Sequence, residues 1–139
     1  MHLKNQPTGK ADHVRCALDV HTALALMLHG KARREEWASC ADAINMVEAL
    51  LFFGKVPADP YLGYVHKAID GMVEAIECQP GQMRMNADAA RALKAIVCQY
   101  DECIGKMARV TIDGAAKRVI LKIAEQRTNP ENGVRVVEA

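Results

Sequence analysis

Apolar side chains recur at three- and four-residue intervals along most of this 139-residue chain, and little else is laid over that pattern. Such spacing lines up side chains on one face of an α-helix, which turns once every 3.6 residues or about that. A chain written this way must bury a stripe of each helix against its neighbours. It therefore predicts an all-α fold: a compact helical bundle of four long helices plus a shorter or kinked C-terminal helix. Alanine points the same way, with 22 residues against six aromatic ones, because it is the strongest helix former. The length suits one domain, 1–139, able to bury a core without covalent staples. Residues 1–8 and 128–139 fall outside the pattern and are expected to be flexible ends.

The first helix is expected after Thr8, an N-cap residue, and ends at Gly30, which can adopt the left-handed conformation that closes a helix. Val14, Ala17, Leu18, His21, Ala25 and Leu28 make one face, widened by Val20, Ala23 and Met27. A second helix spans about Arg34 to Gly54, with Glu35 and Glu36 at its positive end and Trp37, Cys40, Ala41, Ile44, Val47 and Leu51 on its core face. Its last turns, Met46 to Phe53, are apolar nearly all round. Such a segment is either central to the bundle or covered by another chain.

Asp59-Pro60 predicts the start of the third helix, whose face reads Leu62, Val65, Ile69, Met72, Val73 and Ile76 until Gln79-Pro80-Gly81 stops it. Asn86 caps the fourth, with Leu93, Ile96, Val97, Tyr100, Ile104 and Met107 as its stripe. A phase shift then predicts a fifth helix over 112–126, facing inward through Ile112, Ala116, Val119, Ile120 and Ile123. One long helix kinked near Val110 is the alternative.

Five cysteines with no CxxC pair suit reduced thiols in a cytoplasm better than a disulfide framework. The first residues lack a secretion leader's apolar run, and no apolar stretch is long enough to span a bilayer. The expected location is cytoplasmic. Net charge is +1 but unevenly spread, basic in 1–34 and 104–139 and acidic between. Either the ends fold against the middle and the charges balance, or a basic terminal helix stays free for an acidic partner or nucleic acid.

No phosphate-binding loop, HExxH pair or paired-cysteine motif is present. His13, His21 and His29 recur every eight residues, a helical rise of about 12 Å, which is too far for one zinc ion. Asp12, His13 and Cys16 share a turn but would need ligands from elsewhere. No metal, cofactor or catalytic residue is therefore assigned. His21, Glu48, His66 and Asp70 are polar residues set in or beside apolar faces. If they converge they form a carboxylate–imidazole group fit for acid–base work; otherwise they are hydrogen-bonded register pairs or a solvated edge. Lys106, Arg109, Lys117, Arg118 and Lys122 are the candidates for nucleic-acid contact, though few aromatics interleave with them.

The stretch Trp37-Ala38-Ser39-Cys40-Ala41-Asp42-Ala43-Ile44-Asn45-Met46-Val47-Glu48-Ala49-Leu50, with Ala17-Leu18-Asp19-Val20-His21-Thr22-Ala23 before it, resembles small helical proteins of proteobacterial prophages and plasmids. The resemblance implies an accessory protein of a mobile element, acting stoichiometrically on a host defence complex in the manner of an anti-CRISPR, or on transcription. It carries over no functional residue. The leading expectation is a non-catalytic protein that binds another protein, a host complex or itself as a homodimer, through Met46, Leu50, Phe52 and Phe53. The alternatives are a small DNA-binding regulator using the basic C-terminal helix, and an enzyme with a His/Glu site between helices. No membrane partner is expected.

Overall fold

The computed structural model describes residues 10–128, with side chains over 19–127. Five helices follow one another: α1 (Lys10–Leu28), α2 (Arg34–Phe52), α3 (Ala58–Ile76), α4 (Ala87–Lys106) and α5 (Arg109–Thr128). The expected start of α1 after Thr8 and most of both expected flexible ends lie outside the described residues; Thr128 belongs to α5.

Local chemistry sets the helix ends. Gly30 and Gly54 take φ of 69° and 71°. At each, the glycine amide donates back three residues (Gly30 to the Met27 carbonyl, Gly54 to Leu51). The following amide reaches back five (Lys31 to Leu26, Lys55 to Leu50), so otherwise orphaned carbonyls of the last turn are satisfied. At the start of α2 the Glu36 carboxylate accepts the Arg33 amide at 2.9 Å. Asn86 accepts the Ala89 amide at 2.8 Å to open α4. Asp59 keeps an extended conformation within the α3 span, so the regular helix begins at Pro60. Met107 is also extended, at ψ 148°, which separates α5 from α4 and rules out one kinked helix. The fifth helix begins at Arg109, three residues before the expected 112.

α2 runs through the middle and packs on α1, α3, α4 and α5, while α4 also closes on α1 and α3. Eleven α2 residues are buried, among them Trp37, Cys40, Ile44, Val47 and Leu50. The all-round apolar segment is thus split: Val47 to Leu50 lie inside their own bundle, while Phe52 and Phe53 emerge from it. Trp37 buries its ring and donates Nε1–H to the Met72 carbonyl at 2.9 Å, tying α2 to α3. α3 and α4 meet closely at Gly71, where an added Cβ would lie 2.3 Å from that of Ala89. Met83, on the α3–α4 connection, plugs the bundle end, and the Gly81 amide there donates to the Ala32 carbonyl at 2.7 Å.

Three faces differ from expectation. Among the described side chains of α1 the core side is Val20, Ala23, Leu24 and Met27, whereas Ala25 and Leu28 are exposed and His21 is half-exposed; Val14, Ala17 and Leu18 lie outside the described side chains. α1 is alanine- and leucine-rich on several sides, and contact with α2 and α4 selects the row. Among the described side chains of α5 only Ala115 is fully buried, and Ile120, expected inside, is exposed. α3 keeps its expected face at Val65, Ile69 and Met72, but Leu62 and Val73 sit at its exposed margin.

Candidate interaction surface and its polar clasp

The end of α2 and the length of α5 meet around Glu48, a buried carboxylate. A charge taken from water needs a partner. Arg118, reaching from α5, supplies it through a hydrogen-bonded ion pair. The same guanidinium lies 3.8 Å from the centroid of the Phe52 ring, so one side chain makes an ion pair and a cation–π contact at once. Arginine suits both because its planar, weakly hydrated head can stack while it hydrogen-bonds. This clasp joins basic C-terminal chain to acidic centre, the balancing arrangement that the charge distribution allowed.

Beyond the clasp the surface turns apolar. Phe52 is 65% and Phe53 46% exposed, their rings edge to face at 5.4 Å. A shallow hollow beside Phe53 is lined by Lys55, Val110, Thr111 and Gly114. Of the four residues nominated for partner contact, only these two phenylalanines reach the surface. Leu50 is fully buried and Met46 packs, half-buried, against the core. Leu50 therefore belongs to the fold, because α2 turns it toward the bundle interior. Val110, which lines that hollow, and Leu121 are likewise exposed and apolar.

The polar candidates are dispersed. His21 on α1 lies 3.4 Å from Asp101 on α4, while Glu48 is occupied by Arg118. His66 and Asp70 stand exposed along α3. His21 and Glu48 thus belong to two separate cross-helix pairs, the first half-exposed and the second buried. Among the basic residues, Arg118 is held within the α2–α5 contact and Lys106 binds Glu102 at 2.7 Å, which raises its pKa. Arg109 and Lys117 are exposed and Lys122 is half-buried.

Burial pushes the Cys40 thiol up to about 12, aided by nearby Glu36. Burial also raises Cys103. Both are the reverse of an activated nucleophile, which needs a depressed pKa. Asp12, His13 and Cys16 have side chains outside the described set. Among the described residues no group of three or more His, Cys, Asp or Glu side chains could hold a metal ion, and no helix is long and apolar enough to cross a membrane. No family model, curated protein or solved structure matches the chain.

Proposed function

We propose that this protein is non-catalytic and acts by binding another protein, with the Phe52–Phe53 edge as the contact. The observation that carries this reading is the exposure of both phenylalanines of the chain, side by side, at the end of the helix that runs through the bundle's core. Apolar surface left in water forgoes about 25 cal/mol per Å² of burial. A partner covering two adjacent aromatic rings recovers that energy, and aromatics are frequent anchors of protein interfaces. The resemblance to prophage and plasmid proteins narrows the role to a mobile-element accessory protein, with inhibition of a host defence complex such as CRISPR–Cas as its specific form. Its setting is the cytoplasm, where free thiols such as Cys78 and Cys98 stay reduced.

The test is capture of a stoichiometric partner from proteobacterial lysates containing defence complexes, repeated with Phe53→Glu. Phe53 is the right position because Phe52 also serves the Arg118 clasp. Loss of capture with unchanged helical content supports the reading. Undiminished capture by the variant, or no stoichiometric partner across several lysates, sinks it.

A further inference from the structure

We infer that the outward face of α5 is a homodimer interface, on which α5 of a second copy lies antiparallel. This goes beyond the reading above, since it needs no foreign partner and centres on α5 rather than on the phenylalanines of α2, although Val110 and Gly114 border both surfaces.

One side of α5 rests on α2. The other carries a groove lined by Val110, Asp113, Gly114, Ala116, Lys117 and Ile120. Val110 and Ile120 are 45% and 66% exposed, and Leu121 beside them 69%. Three large apolar side chains on one short helical surface outweigh what a lone exposed residue signifies. At Gly114 an added Cβ would meet nothing within 4 Å, so the middle of the groove is low and open.

The order of these residues identifies the occupant. Val110 and Ile120 are equidistant from position 115, and so are Asp113 and Lys117. A two-fold axis across the helix at that level exchanges both pairs together. It sets Ile120 of the second copy against Val110 and Lys117 of the second copy against Asp113, each contact occurring twice. That is the self-complementarity an isologous interface requires. The apolar contacts then stand about 15 Å apart and the charged residues about 6 Å apart along the helix. Gly114 and Ala116 let the two axes approach between them. Among the described residues, no ion pair within the chain engages Asp113 or Lys117. A parallel arrangement would place like charges together.

The test is mass in solution by sedimentation or light scattering, from about 1 μM to about 1 mM. The full chain is expected to dimerise in that range. Asp113→Lys and Lys117→Asp are each expected to weaken dimerisation by about tenfold or more, and the two together to restore it. Gly114→Leu is expected to give monomer with helical content intact, because its side chain enters open space in one copy and fills the groove between two. Wild-type monomer at the highest concentration overturns the inference. So does a dimer indifferent to all these variants, or a combined charge exchange that fails to restore what each single change lost. A monomer that still captures a foreign protein through Phe53 overturns this inference alone.

Discussion

At the scale of single residues, the Arg118 guanidinium serves both Glu48 and the Phe52 ring. Arg118→Ala would strand Glu48, 6% exposed, without its partner. Breaking a buried pair from one side costs about 3–5 kcal/mol. Arg118 lies at the bundle's edge, where water can enter the space it leaves, so a loss of about 2–3 kcal/mol is expected. It would be read as a lower urea midpoint at constant slope. Glu48→Met with Arg118→Met removes both charges and should return to within about 1 kcal/mol of wild type. If Arg118→Ala alone leaves the midpoint unmoved, the clasp contributes nothing to stability. Glu36 gives the pH dependence. The hydrogen bond from the Arg33 amide, then the Arg33 guanidinium, hold its carboxyl below the ordinary range against the opposing effect of burial. A carboxyl lowered in the folded state stabilises above its unfolded pKa, and that contribution disappears as pH falls through the folded value. The stability gap between wild type and Glu36→Gln should therefore be widest near neutrality and close as pH falls through and below the ordinary glutamate range. A gap constant down to acid pH would remove Glu36 as its source.

At the scale of the helix, two glycines of α3 make opposite predictions from one substitution. Gly71→Ala gains helix propensity of about 1 kcal/mol. Its new methyl, however, would sit 2.3 Å from the Ala89 Cβ and 2.8 Å from the Met85 methyl, an overpacking that costs about 1–3 kcal/mol. A net loss is expected in thermal or urea unfolding. Gly63→Ala meets nothing within 4 Å and should stabilise by about 0.5–1 kcal/mol. Equal effects at the two sites would mean that α3 and α4 do not meet closely at Gly71. The same scale shows why some elements were legible and others not. Gly30, Gly54 and Asn86 mark helix ends because each satisfies backbone groups through its own local chemistry. α4 was legible in its face because polar residues flank Leu93, Ile96 and Val97. α1 offered two apolar rows with little contrast, and the choice fell to packing partners that periodicity does not contain. α5 hid its start for a related reason: Arg109 and Val110 continue the apolar and basic character of the preceding turn, and only the extended Met107 separates them.

At the scale of the molecule, the partners of the polar candidates lie far away in sequence. His21 meets Asp101 across 80 positions and Glu48 meets Arg118 across 70, so no local spacing could distinguish register pairs from a reactive cluster. The topology behind those distances also predicts how the protein opens. α1 to α4 share a continuous buried core with α2 in its midst, whereas α5 packs on α2 and fully buries Ala115 alone. Regions with few buried apolar contacts open before the whole, at lower free energy. In native-state hydrogen exchange, amides of 112–127 should exchange faster than those of central α2, such as Ile44 and Val47. Arg118→Ala should widen that difference by releasing the clasp. Because each α5 of the proposed dimer covers the other, raising protein concentration should slow exchange in α5 and leave central α2 nearly unchanged. Exchange in α5 as slow as in α2 at low concentration would mean that the fifth helix unfolds only with the bundle. The Glu48–Arg118 pair and its surrounding contacts would then be part of the core's cooperative unit rather than a clasp on its edge.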